Sequence, residues 1–412
     1  MLELSKIIGI ILIVSVAGDD ETWNNSSCET SFIRINISYS GNPDDINNEV
    51  WCPIFNEPCY RHLDDTFGFW IEGVMHNIIG FTGIIMNIVF CCVLSRKQLR
   101  NVFNSLLIAL AIFDSLFLML RIIDTFRTQF ELTTQVHIFL FPKILHPFGA
   151  VTLLVSIFMI IAISMERYIA VTRPISLHVE MSYNKGAQVK RFLKYLIPVI
   201  LFSLIIEIPT FFEVEGKQND ETKRLEILIT ELRLHPDYMI YYVGVTKLIV
   251  TVIIPFLTIM YLNVSTYLII HQRQKNQMVM NQTNENTLEM ETVDTDLTES
   301  YNNASRQTHL APKPSKRTLE ERLYLLFMTI SLLFLLCHSP RFILNFYEAV
   351  SAKELNACMN AGYFGVPLWA LHLAQISNVL LTINSSVNSL IYCVFSRKYR
   401  EEAKKCLRCF TT

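Results

Sequence analysis

Charged residues are scarce in this chain. Asp, Glu, Lys and Arg make up 17% of its 412 residues, against about a quarter in a soluble domain, which argues against an ordinary cytosolic enzyme. Neither sign is in excess: 35 Lys and Arg face 37 Asp and Glu, so the basic surplus that nucleic-acid binding needs is missing. No internal repeat is visible, and no pair of Gly- or Pro-broken apolar segments marks two inverted halves, as in many transporters. Nor is a His/Cys metal cluster or a nucleophile–base pair recognisable, so nothing points to catalysis or to a resident cofactor. What the chain does have is apolar residues, 51% of the total, gathered into long blocks.

Those blocks run Trp70–Leu94, Phe103–Ile123, Leu145–Ile169, Phe192–Phe212, Ile240–Ile270, Leu323–Tyr347 and Val366–Phe395. Each approaches or exceeds the roughly 20 residues that cross a hydrocarbon core, and each must be helical because lipid offers backbone groups no partner. An earlier run, Ile7 to Ala17, is too short to span. Preceded by Lys6 and followed by Ala17-Gly18 and an acidic stretch, residues 1–18 read as a secretory signal peptide, with an anchoring helix as the alternative. Residues 19–67 then form an extracellular tail carrying glycosylation sequons at Asn24, Asn25 and Asn36 and three cysteines, Cys28, Cys52 and Cys59.

Charge gives the orientation independently. Arg96, Lys97 and Arg100 follow the first block; Arg167, Arg173, Lys185, Lys190 and Arg191 mark the loop between the third and fourth. Another basic cluster, Arg397 to Arg408, follows the last block. The opposite loops are acidic or sparse, so the N-terminus lies outside and residues 397–412 form a cytoplasmic helix and tail. Residues 271–318 interrupt the seven-span region 68–396 with a polar stretch that cannot bury a core, a disordered cytoplasmic loop by composition. Its Ser and Thr residues are either phosphorylation targets or plain spacer.

Polar residues inside lipid are expensive and point to function. Asp114 lies within the second block. Ser156 and Arg167 share a face of the third, about 16 Å apart, and Asn384, Asn388 and Tyr392 stack along one stripe of the seventh. Asp114, Ser156, Asn384, Ser385 and Asn388 compose a polar core in which Na⁺ would balance the carboxylate. Any single Asn or Ser here has the plainer reading of a helix–helix hydrogen bond.

Asn87, Leu110-Ala111 with Asp114, Glu166-Arg167-Tyr168, Pro255, Phe334 with Cys337 and Pro340, and Asn388 with Tyr392 occur in order on six of the seven blocks. Together they resemble the helix-by-helix signatures of rhodopsin-like (class A) G-protein-coupled receptors, from about Trp70 to Cys409. The resemblance implies an all-α membrane protein, a seven-transmembrane helix bundle with a short amphipathic eighth helix, at the plasma membrane. It also implies an outer ligand pocket, an allosteric Na⁺ at Asp114, and a cytoplasmic cavity for a heterotrimeric G protein, with arrestin, a receptor kinase and membrane lipid as further partners. Glu166 would restrain Arg167 at rest, and Phe334, His338, Pro340, Asn388 and Tyr392 would complete the switch. His338 stands where most such receptors have Trp and Ser389 where they have Pro. These departures, with Pro209-Thr210-Phe211-Phe212-Glu213 and Leu344-Asn345, are similar to invertebrate FMRFamide-type neuropeptide receptors. A receptor for another peptide, or a seven-span transporter or channel, is the alternative.

A ligand ending in Arg-Phe-amide needs an anion and an aromatic slot. The candidate anions are Asp124, Glu207 and Glu348, with Glu213 at the rim; Phe346, Tyr347, Trp369 and Tyr242 are the aromatic candidates. The top of the third block has no cysteine, so the disulfide usual in the family is absent. Cys28, Cys52, Cys59 and Cys358 allow three pairings, with a bridge from Cys59 or Cys28 to Cys358 expected. Cys406 and Cys409 are palmitoylation sites or free thiols.

Overall fold

The computed structural model describes residues 31–37, 48–54, 66–130, 135–173, 186–218, 225–235, 237–293, 316–360 and 366–411. Its helices are α1 (Thr66–Leu94), α2 (Val102–Thr128), α3 (Val136–Thr172), α4 (Ala187–Phe212), α5 (238–293), α6 (Lys316–Asn360), α7 (Leu368–Phe395) and α8 (Arg397–Thr411). The first seven contain stretches long and apolar enough to cross a membrane, as the sequence predicts.

Local chemistry sets several boundaries. The Asn101 side chain accepts the Asn104 amide at 2.7 Å and so caps the start of α2. Pro367 precedes α7, where its missing N–H costs the helix nothing. Pro209 falls where α4 tightens into a closing 3₁₀ turn, Ile208–Phe212. Wider π turns occupy Phe69–Met75 in α1, Phe141–Leu145 in α3 and Tyr238–Thr246 in α5, all at the same end of the bundle. Helices approach most closely where one partner is glycine: a Cβ on Gly83 would strike Ser386 of α7, and one on Gly244 would strike Ala349 of α6.

The core of the half of the bundle nearer α8, called the inner half, gathers Phe90, Leu106, Leu107, Leu154, Met159, Ile259 and Phe334. Ile78, Ile85, Ile205, Leu268 and Leu336 are each more than half exposed on the outer surface of the bundle, the pattern expected of side chains facing acyl chains. α8 packs against α1 and α7. It buries Tyr399 and places Glu402 between Lys405 at 2.6 Å and Arg96 at 3.7 Å.

The tail contributes an antiparallel hairpin, β1 (Ser31–Ile37) and β2 (Asn48–Ile54), in register Ile33 to Cys52. A second hairpin, β3 (Val214–Gln218) and β4 (Leu225–Ile229), joins α4 to α5 at the end of the bundle away from α8, called the outer end. The tail–loop disulfide forms, but its partners are Cys52 and Cys358, not Cys59 or Cys28. β2 lies against α6 and carries Cys52 to within 5.6 Å of Cys358, Cα to Cα, a span a disulfide bridges readily. Cys28, Cys59, Asn24, Asn25 and residues 1–18 lie outside the described residues, and Asn36 is on β1.

The stretch expected to be disordered from 271 is helical through 293, and α6 already begins at Lys316. Residues 271–293 hold neither Gly nor Pro, so a helix nucleated in the apolar segment propagates through them at little cost.

Candidate functional site

Asp114 is fully buried on α2. Asn388 of α7 donates its Nδ2 to Asp114 Oδ2 at 2.8 Å. The Ser156 and Ser385 hydroxyls lie beside the same carboxyl without closing a hydrogen bond of normal geometry, and Oδ1 has no hydrogen-bond partner among the described residues. Asn384 is buried on α7 but makes no hydrogen bond to Asp114. Asn87 of α1 donates to the Ser385 carbonyl at 3.1 Å, stitching α1 to α7 beside the pocket. Four of the five residues predicted for this core therefore converge.

At the inner end the expected restraint is rewired. Glu166 does not pair with Arg167; Arg191 of α4 takes its carboxylate, with Nε and a terminal nitrogen each 3.0 Å from Oε2. The Arg167 guanidinium instead lies over the Phe103 ring of α2, 3.1 Å from its centroid. Glu166 is buried on the α4 side of α3, whereas the next residue points a hundred degrees further round the helix toward α2. Tyr392 completes the cluster, its ring 6.3 Å from Phe103 and 5.3 Å from Phe90. Tyr168 is half-buried on the next position of α3. A cavity of about 10 Å³, room for one water, is lined by Leu107, Leu110, Ile160, Ser331, Asn388 and Tyr392. It connects the Asp114 partner Asn388 to the Arg167 neighbour Tyr392.

On α6, His338 and Phe334 are both buried and their rings stand 4.3 Å apart. Pro340 lies within the helix two residues further on, removing one backbone donor there. Lower on the same helix, Ser331 accepts a hydrogen bond from Asn263 of α5.

Among the described residues, the outer half contains three charge groupings. Between α1, α2 and α7, Glu72 meets Arg121 at 3.7 Å and accepts from Gln129 and Asn378, while Arg121 also holds Asp124 at 3.2 Å. Between α3, α4 and α5, Lys247 lies 3.6 Å from Glu207 and 3.7 Å from Glu213. Thr210 donates to Glu207 at 2.7 Å, and Glu213 also takes the Tyr238 hydroxyl at 2.8 Å and His146 at 3.2 Å. Burial alone would raise the Glu213 carboxyl. The hydrogen bonds from His146 and Tyr238 and the charges of Lys247 and Arg233 outweigh it and hold the pKa at about 2. At the third grouping, Arg233 meets Glu348 of α6 at 3.2 Å. All three candidate anions, Asp124, Glu207 and Glu348, are thus already paired within the chain.

The aromatic candidates divide. Tyr347 and Trp369 meet edge to face at 4.8 Å where α6 adjoins α7. Tyr242 stacks on Tyr238 at 4.9 Å and donates to the Ile206 carbonyl at 2.8 Å, so it braces α5 against α4. Phe346 does not join them: it is 47% exposed and stacks on Phe342, also exposed, on the outer surface of the bundle. One helical step of a hundred degrees from Tyr347 turns it out of the cavity.

The sequence reading passed over Glu72, Lys247 and Arg341, although each is an ionisable group within an apolar stretch, the same signal that singled out Asp114. Arg191 and Phe103 carried no such signal, since their roles depend on which helices touch. The backbone positions of Cys406 and Cys409 lie on α8.

Residues 86–392 match the model of the family described as 7 transmembrane receptor (rhodopsin family). Among curated proteins, the chain is similar to an FMRFamide receptor of Drosophila melanogaster, 28% identical over 348 residues covering 81% of this chain and 53% of that protein. It is also similar to the FMRFamide peptide receptor frpr-18 of Caenorhabditis elegans, 21% identical over 332 residues, 79% of this chain and 66% of the relative. The aligned region therefore spans about half of the first relative and two thirds of the second.

Proposed function

The chain belongs to the rhodopsin family of seven-transmembrane receptors, and on that premise we propose that it binds an amidated peptide of the FMRFamide type. It would pass occupancy of the outer cavity to a heterotrimeric G protein. The observation that carries this reading is the polar axis through the bundle. Asp114 and Asn388 join α2 to α7, Tyr392 follows one turn below Asn388, and Arg167 lies beside it at the inner end. An outward movement of α6, hinged at Pro340, opens the space below Ser331 and exposes Arg167 to a cytoplasmic partner. The N-terminus and both hairpins then face the outside of the plasma membrane. α8 and the helical extension of α5 face the G protein, arrestin and a receptor kinase.

On the ligand side, Tyr347 and Trp369 offer the aromatic wall for a terminal Phe. A ligand Arg must displace one internal cation, and Glu348 is the easiest to reach. Its side chain is 36% exposed, and its partner Arg233 belongs to a single turn between β4 and α5. Pairs that water reaches are weak and exchange readily. Asp124 and Glu207 are more deeply enclosed.

The Asp114 pocket fits a small monovalent cation. Oδ1 and the Ser156 and Ser385 hydroxyls are buried oxygens without a hydrogen-bond partner among the described residues, the hard donor set such an ion takes. Bound there, Na⁺ supplies the positive charge that the carboxylate lacks.

The reading is tested by applying Phe-Met-Arg-Phe-amide to cells expressing the full chain together with a G protein and measuring nucleotide exchange, calcium and cyclic AMP. Dose-dependent exchange supports it. Ion or solute flux with no exchange would instead favour the transporter or channel alternative.

A further inference from the structure

On α6, Arg341, Leu344, Asn345 and Glu348 recur on the face turned into the bundle, while Phe342, Ile343, Phe346 and Val350 are exposed on the other. Arg341 therefore lies on the face of α6 turned toward the other helices, immediately after Pro340 and one turn above His338. Four charges are within its electrostatic reach: Arg121, Glu348, Glu72 and Arg233. Both acids among them are already engaged, Glu72 by Arg121 at 3.7 Å and Glu348 by Arg233 at 3.2 Å. Arg121, Arg233 and Lys247, by contrast, each hold a carboxylate. Arg341, partly buried, makes neither a hydrogen bond nor an ion pair with any described residue.

A guanidinium carries five N–H donors in a planar fork and keeps its charge at every physiological pH. Placed within the bundle without an acceptor among the described residues, it favours a ligand that brings one. A linear peptide entering by its amino end would set an ammonium against this charge. Entering by its carboxyl end, it brings a planar oxygen, whether of a carboxamide or a carboxylate. We infer that Arg341 receives the C-terminal carbonyl oxygen of the peptide, which therefore enters carboxyl end first. Spacing agrees. Glu348 is seven residues, about 10 Å, above Arg341 along α6. In an extended peptide the penultimate Cα lies about 5 Å from the terminal carbonyl carbon, and an Arg side chain there covers the remaining distance to Glu348.

The inference rests on the peptide-receptor reading. Its test uses full-length chain in cells with matched surface expression, comparing wild type, R341Q and R341K. The probes are Phe-Met-Arg-Phe-amide and the analogue in which hydrogen replaces the terminal carboxamide. Loss of one charge-assisted hydrogen bond should raise the half-maximal concentration of the amide roughly thirtyfold in R341Q, with R341K recovering most of it. The analogue, having no terminal carbonyl to lose, should separate wild type from R341Q by less than about threefold. Adding the free acid names the oxygen. A larger loss for the acid than for the amide in R341Q supports a carboxylate fit, and an acid inactive on both supports a carboxamide fit. Amide potency in R341Q within about threefold of wild type, or an analogue that suffers the full loss, overturns the contact and leaves the receptor reading standing. A wild-type chain silent to the amide overturns both.

Discussion

Arg191 on α4 binds Glu166 on α3 at 3.0 Å, and this pair leaves Arg167 to the Phe103 ring. The acid that the family motif places beside Arg167 is thus held by a different helix. Removing Arg191 frees Glu166 to turn toward Arg167. R191A is therefore expected to lower basal and agonist-driven nucleotide exchange about three- to fivefold, the shift of a coupling near 1 kcal/mol. Adding E166Q to R191A should restore it. An R191A chain more active than wild type would reverse the assignment.

Asp114→Asn keeps the shape of the carboxyl and removes its charge. Agonist affinity measured in sodium chloride and in choline chloride should differ for the wild-type chain and coincide for D114N. Equal affinities in wild type would dismiss the ion from this pocket, whatever D114N does.

Cys52 and Cys358 act as one unit. C52S, C358S and the double variant should lose the same thermal stability, of the order of 2–4 kcal/mol before any local strain is counted. A non-reducing peptide map should recover the two cysteines in one fragment. Additive losses, or a free thiol at Cys358, would show that the link does not form.

Glu213 sets an acid limit. With a folded pKa near 2, against the usual carboxylate value of about 4.5, its contribution to stability is complete above pH 4.5 and is lost as pH falls toward 2. Thermal midpoints of the purified chain should therefore be insensitive to this group from pH 5 to 8. Below that range wild type should lose more than E213Q, narrowing the gap between them. A gap unchanged down to pH 3 would mean that the carboxyl is not held ionised by His146, Lys247 and Tyr238.

The seven helices were legible because lipid imposes a single solution on long apolar runs, and Asp114 stood out because a charge there is costly. Pairings were less legible. Each candidate anion was a sound guess from its position, but whether Asp124, Glu207 or Glu348 is available depends on cations contributed by other segments. Phe346 and Tyr347 are neighbours in sequence and lie on opposite sides of a wall, a distinction that requires the rotation of α6 and not merely its existence. The cysteine that reaches Cys358 was fixed by the hairpin in the tail, whose alternation is too short to stand out from its surroundings.

The link between β2 and α6 closes a covalent hoop whose two ends are 306 positions apart in sequence, threading six helices and leaving α7 and α8 hanging outside it. A protease that nicks the chain between α5 and α6 would release nothing until a reductant was added. The hoop also pins the upper tip of α6, so a bend at Pro340 leaves the tethered upper segment in place and delivers its largest excursion to the end of the rod farthest from the disulfide.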